Sequence, residues 1–229
     1  MTHIKNNLVQ VKHQISQACQ LANRSIDEVL LLAVSKTKPS AMVEQAYHAG
    51  QRFFGESYIQ EAIEKIEQLS HLTDIQWHFI GPIQSNKTRH IAELFSWVHS
   101  VDRAKIITRL NEQRSEQDTP LNVCLQVNIS GESSKSGIKV NELAELAQLT
   151  DTSSHLTLRG IMAIPEKNAS IASYQKMQQL FQQLQQQYPS VDTLSMGMSS
   201  DLTVAIAHGA TIVRIGTAIF GQRETIANN

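Results

Sequence analysis

The hydrophobic pattern predicts strands and helices that alternate along the chain. Short apolar runs such as 29–34 are bounded by turn residues, which is typical of buried strands. Between these runs, apolar residues recur at steps of three and four, which is typical of amphipathic helices. The predicted strands cover residues 29–34, 52–56, 77–82, 97–101, 121–129, 156–164, 193–198 and 211–216.

Helices are predicted before the first strand and in the segments between strands. The first helical stripe starts at Ile4 and continues through Leu8, Val11 and Ile15. The predicted helices cover residues 4–22, 41–49, 59–66, a segment that begins near 86, 106–110, 143–149, 174–188 and a segment that ends at 207.

This alternation predicts the α/β class and a single domain over residues 1–229. The simplest arrangement of eight strand–helix units is a closed (β/α)8 barrel, or TIM barrel, here with an extra N-terminal helix. A doubly wound open sheet shows the same alternation. It stays an alternative, because periodicity does not show whether a sheet closes.

Lys36 is the first candidate for chemistry, because the first apolar run delivers it to the C-terminal end of a predicted strand. Pro39 cannot donate a ladder hydrogen bond, so the strand must end before it. Ligands of α/β folds bind at this end of the sheet. Apolar neighbours disfavour the ammonium form, so a lysine here suits Schiff-base chemistry. The alternative is a lysine that only reaches into water along its apolar stem.

Two late segments predict a phosphate site. Residues 196–201 and 214–221 each place glycine and hydroxyl residues after a predicted strand and near a helix start. Free backbone N–H groups at helix starts favour phosphate, and barrels often bind it after the seventh and eighth strands. Tight turns and helix caps are the alternative. A P-loop is excluded, because Gln222 and Arg223 follow Gly221 where lysine and a hydroxyl residue are required.

The fifth predicted strand alternates between aliphatic and polar residues. In a barrel this alternation directs Gln126 and Asn128 towards the interior. The polar segment 130–137 follows and is long enough to fold over a site. Both features predict a polar ligand at the mouth of the barrel.

The composition excludes several functional classes. A net charge of −1 lacks the basic excess of a nucleic-acid binder. No apolar run approaches the roughly 18 residues of a membrane span, and no signal pattern opens the chain, which predicts a cytoplasmic protein. Cys19 and Cys124 are predicted to be free thiols, because they are far apart and lack CxxC spacing. No HExxH pattern occurs, so no metal site is expected, and His78 and His99 are predicted rim or core residues.

Six short motifs follow one another along the chain, at residues 33–36, 54–56, 78–87, 130–132, 196–199 and 214–216. Together they resemble the YggS/PROSC family of pyridoxal-phosphate-binding proteins over nearly the whole chain. The resemblance implies the fold-type III barrel, which is similar to the N-terminal domain of alanine racemase. It also implies pyridoxal 5′-phosphate as the cofactor. One position departs from the family pattern: Ser57 stands where asparagine is expected, so a hydroxyl replaces an amide.

The resemblance implies a role for each residue of the predicted site. Lys36 would form the Schiff base, an internal aldimine, and Ser199, Gly216 and Thr217 would hold the phosphate. Arg214 would face the pyridine nitrogen. Because a guanidinium only donates, that nitrogen would stay unprotonated and the cofactor would be a weak electron sink. Further cofactor contacts are implied at Ser57, His78, Asn86, Gly197 and Met198.

The resemblance also implies a function in intracellular pyridoxal-phosphate homeostasis. The protein would carry the cofactor and support amino-acid and keto-acid balance without strong catalytic activity, with apo pyridoxal-phosphate-dependent enzymes as candidate recipients. A monomer is expected, because the chain ends soon after the eighth strand, without the C-terminal domain of alanine racemases. An amino-acid racemase is the alternative function. An aldolase-type Schiff-base barrel without a cofactor is the third.

Overall fold

The computed structural model describes residues 3–114, 119–130, 136–166 and 169–222. The strands are β1 (Leu30–Val34), β2 (Phe53–Glu56), β3 (Gln76–Phe79), β4 (Trp97–Val101), β5 (Leu121–Gln126), β6 (Leu156–Met162), β7 (Thr193–Ser195) and β8 (Ile212–Ile215). The α-helices are α1 (His3–Leu21), α2 (Ser40–His48), α3 (Ile59–Gln68), α4 (Thr88–Leu94), α5 (Ala104–Arg114), α6 (Leu143–Asp151), α7 (Ile171–Gln187), α8 (Leu202–Ala207) and α9 (Thr217–Phe220). Short 3-10 turns lie at Ile26–Glu28, Ser85–Lys87 and Val140–Glu142.

The eight strands close into a parallel barrel. Each strand pairs with the next one in the sequence, and β8 pairs with β1. Leu32 of β1 and Arg214 of β8 are register partners across the closing pair. The predicted TIM barrel with an extra N-terminal helix is therefore confirmed, and the open-sheet alternative is wrong. The single domain over residues 1–229 stays a prediction.

Some strands end earlier at the barrel mouth than the sequence predicts, although β1 ends at Val34 as predicted and Lys36 lies in a turn beyond it. β5 ends at Gln126 instead of Ile129, and β6 ends at Met162 instead of Ile164. The apolar pattern reports burial, whereas a strand requires ladder hydrogen bonds, so the two boundaries differ where the rim loops leave the sheet.

The main hydrophobic core lies between the outer face of the barrel and the surrounding helices. The apolar stripe of α1 belongs to this core, and α1 packs against α8 and α9 beside the closing strand pair. The opposite face of each strand points into the lumen, because side chains alternate along a strand. Buried polar side chains occupy part of the lumen, namely His78, His99, Ser195 and Arg214.

Both cysteines are free and buried, as predicted. Burial raises the pKa of the Cys19 thiol and of the Cys124 thiol. Neither sulfur is therefore a ready nucleophile at neutral pH, since the thiolate is the reactive form.

Two further features bear on the functional class. Across the part of the chain that the structure describes, no helix is long and apolar enough to cross a membrane. In the same residues, no group of three or more His, Cys, Asp or Glu side chains is arranged to hold a metal ion.

Candidate functional site

Lys36 lies half-buried at the mouth of the barrel, in the turn that follows β1. Its position continues the alternating row of Leu32 and Val34, and Leu32 pairs with Arg214. The lysine is therefore at the rim above the strand pair that carries Arg214. Thr37, the next residue, has a positive φ of 62°, which is strained for a β-branched residue.

Arg214 is buried on β8 and donates to three protein acceptors. Its Nη1 donates to the carbonyl oxygen of Ser195 at 2.7 Å and to Ser195 Oγ at 2.8 Å, and its Nη2 donates to the carbonyl oxygen of Ala163 at 2.8 Å. Burial lowers the pKa of the guanidinium to about 10, so it stays charged at neutral pH. A guanidinium has five N–H donors. Within the described residues, two of them, on Nε and Nη2, remain for a ligand.

A hydrogen-bond chain crosses the lumen from Arg214. Ser195 Oγ lies 2.8 Å from His99 Nδ1, and His99 Nε2 lies 2.9 Å from His78 Nδ1. Since Arg214 donates to Ser195 Oγ, one direction satisfies the chain best: the serine hydroxyl donates to His99, and His99 donates to His78. His78 Nε2 has no hydrogen-bond partner among the described residues.

The imidazoles of His78 and His99 are both neutral. Burial lowers the pKa of His78 to about 3. Burial, aided by the nearby His78 and Arg214, holds the pKa of His99 well below its usual range. His78 is thus a core residue of the lumen, stacked on Trp97 with ring centroids 5.3 Å apart, and it reaches Arg214 through His99 and Ser195.

The neutral histidines predict how stability depends on pH. The folded pKa of His78 is about 3, against 6.5 for an ordinary histidine, so only the unfolded chain takes up this proton between these values. The contribution of each such histidine to the free energy of unfolding is fully present above pH 6.5. It is lost as the pH falls, by about 1.4 kcal/mol per pH unit. His78→Gln removes one of these protons, so urea unfolding between about pH 7 and pH 5 should show a smaller loss. His13→Gln, at an exposed position of α1, should retain the full loss.

Two glycines permit close packing of the loops after β7 and β8, one against α8 and the other against the end of β1. Gly197 has a φ of 103°, and a Cβ there would lie 2.6 Å from the Cβ of Ala205. A Cβ on Gly216 would lie 3.1 Å from the carbonyl oxygen of Val34. The N–H of Arg214 donates to the carbonyl oxygen of Gly197 at 2.9 Å. The loop after β7 is therefore tied directly to β8.

The predicted phosphate contacts lie on these two loops. Ser199 and Thr217 are exposed, and Thr217 begins α9, whose first N–H groups have no intrahelical acceptor. Met198 differs, because its N–H donates to Asp201 Oδ1 at 2.7 Å and is thus already used within the protein.

Two predicted contacts lie on other loops of the rim. Ser57 follows β2, is 8% exposed, and lines a cavity of about 470 Å³ together with Tyr58 and Lys87. Asn86 is exposed on the turn Ser85–Lys87 after β3.

β7, β8 and β1 are neighbours in the barrel, so Arg214, Gly216 and Lys36 share one side of it. Ser57 and Asn86 lie on the loops that follow the next strands, β2 and β3.

The predicted interior residues of β5 line a cavity at the far side of the mouth. Gln126 and Asn128 border a space of about 210 Å³ with Ile80 and Ile164. The side chain of Gln126 donates to the carbonyl oxygen of Ser136 at 3.2 Å. Both amides therefore border a cavity at the mouth, but Asn128 is half-buried and lies beyond the end of β5, so its predicted direction into the lumen stays a prediction. In the predicted loop 130–137, residues 131–135 lie outside the described residues.

A buried ion pair beside Lys36 was missed by sequence reasoning. Lys65 Nζ lies 2.6 Å from Glu56 Oε1, and both side chains are almost fully buried. The apolar stripe of α3 in the sequence consists of Ile59, Ile63 and Ile66, yet Lys65 is more buried than any of them. A signal was available, because Lys65 lies at helical spacing from Ala62 and Leu69, which are buried.

The chain is similar over its full length to proteins named pyridoxal phosphate homeostasis protein. The relative from Vibrio cholerae is 51% identical and covers 100% of both chains, and that from Pseudomonas aeruginosa is 54% identical, covering 98% of this chain and 97% of its own. The family described as alanine racemase, N-terminal domain, matches residues 7–224. The chain belongs to the pyridoxal phosphate homeostasis protein family. The family predicted from the sequence motifs is therefore confirmed.

Solved structures support this membership. PipY from Synechococcus elongatus, solved without pyridoxal phosphate, is 38% identical, with a TM-score of 0.83 over 96% of this chain and 100% of its own. The structure of PipY with pyridoxal phosphate bound is 39% identical, with a TM-score of 0.77 over 90% of this chain and 100% of that chain. Alanine racemase from Bartonella henselae, at 17% identity and a TM-score of 0.68 over 97% of this chain and 60% of its own, shows the shared fold alone. The alanine-racemase-like barrel of this pyridoxal phosphate homeostasis protein family member is thus confirmed.

Proposed function

We propose that the chain binds pyridoxal 5′-phosphate at the mouth of its barrel and takes part in the homeostasis of this cofactor. One observation carries the proposal. Arg214 is a buried cation with two N–H donors left for a ligand, and it lies on the strand paired with the one that leads to Lys36. The name of the full-length relatives and the bound form of PipY point to the same ligand.

The donors of the site fit the groups of the cofactor. A pyridine nitrogen accepts a hydrogen bond, which the remaining N–H groups of Arg214 would supply. A phosphate accepts several, which the hydroxyls of Ser199 and Thr217 and the backbone near Gly216 would supply. An aldehyde requires an amine, which Lys36 would supply from the turn after β1, the strand that pairs with β8. The residues present therefore fit pyridoxal phosphate.

Lys36 would hold the cofactor through its neutral amine. Its Nζ would form a C=N bond to the aldehyde carbon, and the two amine hydrogens would leave with the aldehyde oxygen as one water molecule. Pyridoxal phosphate, when bound, supplies an electron sink for carbanion chemistry at amino acids. Arg214 cannot give up its proton at neutral pH, so it leaves the ring nitrogen unprotonated and limits this chemistry. We therefore propose a binding protein without strong catalytic activity.

Other rim residues have proposed secondary roles. The backbone around Gly197 shapes the phosphate loop, since the close packing against Ala205 leaves no room for a side chain. His78 acts indirectly, through His99 and Ser195. Like His78 and Gly197, three other residues are proposed as further contributors to cofactor binding, namely Ser57, Asn86 and Met198.

The chemistry of Lys36 suits a carrier. A C=N bond forms and hydrolyses reversibly, so one site can both capture an aldehyde and release it. We propose that the chain acts as a monomer in the cytoplasm and delivers the cofactor to apo pyridoxal-phosphate-dependent enzymes. Held on the lysine, the aldehyde is kept from reacting with other amines.

Borohydride reduction followed by peptide mass spectrometry tests the proposal. Borohydride converts the C=N bond into a stable amine, so the mass of the reduced cofactor is expected on the peptide that contains Lys36. Lys36→Ala should lose this mass on that peptide. Lys12→Ala, which removes an exposed lysine of α1, should be labelled as the parent protein is. A parent protein that acquires no label would contradict the proposal.

A second measurement separates the carrier from an amino-acid racemase. A racemase exchanges the α-hydrogen of its substrate with solvent deuterium at every turnover. The carrier should show no exchange at enzyme-like rates when amino acids are added to the holoprotein. Rapid exchange would show that the racemase function is correct and the carrier function is not, and it would leave the cofactor assignment unchanged.

A further inference from the structure

Two side chains hold the residue that precedes Lys36. Lys65 Nζ donates to the carbonyl oxygen of Ser35 at 2.9 Å and to Glu56 Oε1 at 2.6 Å. Ser35 Oγ donates to the same oxygen of Glu56 at 2.6 Å. All three residues are buried. The backbone and the side chain of Ser35 are therefore both fixed by one buried ion pair.

A further contact holds the residue that follows Lys36. The N–H of Thr37 donates to Glu61 Oε1 at 2.6 Å, and the same oxygen accepts a hydrogen bond from Lys65 at 2.8 Å. Thr37 has the strained φ of 62° described above, and such a conformation persists only where its surroundings determine it. Glu61 supplies that determinant, because the carboxylate is itself fixed by Lys65.

The position of the ion pair is difficult to explain by packing alone. All three N–H donors of Lys65 have acceptors, and these acceptors converge on the two neighbours of Lys36. Glu56 is fully buried, burial raises the pKa of its carboxyl group, and its Oε2 has no hydrogen-bond partner in the described residues. Apolar side chains of similar volume often replace a buried ion pair without loss of stability. Packing of α3 on the barrel is therefore not a sufficient reason for these charges.

We propose that Lys65 is a positioning residue for Lys36. Together with Glu56 and Glu61 it fixes the turn on both sides of Lys36, and so sets the direction from which the Lys36 amine meets an aldehyde. The inference rests on the proposed function, since it requires Lys36 to be the point of attachment. A displacement of a reacting group by about 1 Å costs about 100-fold in rate, so a fixed turn has a measurable effect.

Four variants test the role of Lys65. Lys65→Met removes the ammonium but keeps much of the side-chain length. It leaves Glu56 buried without a cation, so the double variant Lys65→Met/Glu56→Gln, which buries no unpaired charge, is measured beside it. Glu61→Gln weakens the contact to Thr37 at a partly exposed position. Lys12→Met, on the exposed face of α1, is the matched control.

Each variant is measured in two ways. The rate of attachment to Lys36 is followed by borohydride trapping. Affinity is measured with pyridoxamine 5′-phosphate, which keeps the ring and the phosphate but has no aldehyde. Both Lys65 variants should attach about 10- to 100-fold more slowly than the parent, with unchanged affinity for pyridoxamine 5′-phosphate. Lys12→Met should match the parent in both. An unchanged rate, or a parallel loss of rate and affinity, would overturn the inference.

The cofactor-free protein supplies an independent readout. If Glu61 holds the turn, the Thr37 amide should exchange with deuterium faster in Glu61→Gln and in both Lys65 variants, and at the parental rate in Lys12→Met. Equal exchange in all variants would overturn the inference.

Failure of the proposed function would give a different experimental result. The parent protein would then give no trapped Lys36 peptide, which overturns both proposals, whereas a trapped parent with unaffected Lys65 variants overturns the positioning role alone.

Discussion

Pyridoxamine 5′-phosphate should bind about 10- to 100-fold more weakly when Arg214 is replaced by methionine. A hydrogen bond from a buried charged donor contributes about 1.5 to 3 kcal/mol, and a factor of ten in affinity corresponds to about 1.4 kcal/mol. Methionine has no donor for the ring nitrogen. Isothermal titration of the cofactor-free protein with this analogue measures the effect without any contribution from Lys36.

Folding stability should change much less than affinity in the same variant. Loss of Arg214 leaves the carbonyl oxygens of Ala163 and Ser195 without these donors, at about 1 to 3 kcal/mol each. It also removes the desolvation penalty of a buried guanidinium, whose pKa burial lowers to about 10. These effects oppose each other. Arg214→Lys should not restore affinity, because an ammonium lacks the planar fork. Parental affinity in Arg214→Met would show that the guanidinium does not contact the ring.

Gly160→Ala should lower the free energy of unfolding by about 3 to 5 kcal/mol. Gly160 lies in β6 with a φ of 149°, and a Cβ there would lie 1.8 Å from the carbonyl oxygen of Thr193 on β7. The energetic cost of the backbone strain therefore adds to the cost of the clash with the neighbouring strand. Urea unfolding monitored by circular dichroism measures the difference.

Gly50→Ala is the matched control for this substitution. Gly50 has a φ of 91°, and a Cβ there would have no heavy atom within 4 Å. Its substitution therefore carries the backbone strain without the clash, at about 1 kcal/mol. Equal losses at Gly50 and Gly160 would show that the close approach of β6 and β7 contributes nothing to stability.

The barrel could be predicted because the sequence pattern reports burial directly. Runs such as 29–34 are apolar whatever strands they pair with, so the pattern predicts eight strands without information on their pairing. Closure was not determined by the pattern, since it depends on the pairing of β8 with β1. The rim boundaries differ for the same reason, because hydrogen bonding between strands is a tertiary property.

In the candidate site, too, features of a single segment could be predicted and contacts between segments could not. Lys36 could be predicted from a single strand and its terminating proline, and its place at the mouth agrees with the structure. The links from Arg214 to Ser195 and His99 could not, because they join β8, β7 and β4 across the lumen. Lys65 was missed because helical periodicity identifies a buried face by apolar residues, and only a carboxylate on the neighbouring strand makes a buried lysine tolerable.

The buried thiols have a consequence for the chain under oxidative stress. Peroxides attack the thiolate, and both Cys19 and Cys124 are buried with a raised pKa, so they are slow targets. Neither sulfur should compete with Lys36 for the aldehyde of the proposed cofactor. In the proposed carrier, a cofactor held on Lys36 would therefore not depend on a reactive thiol.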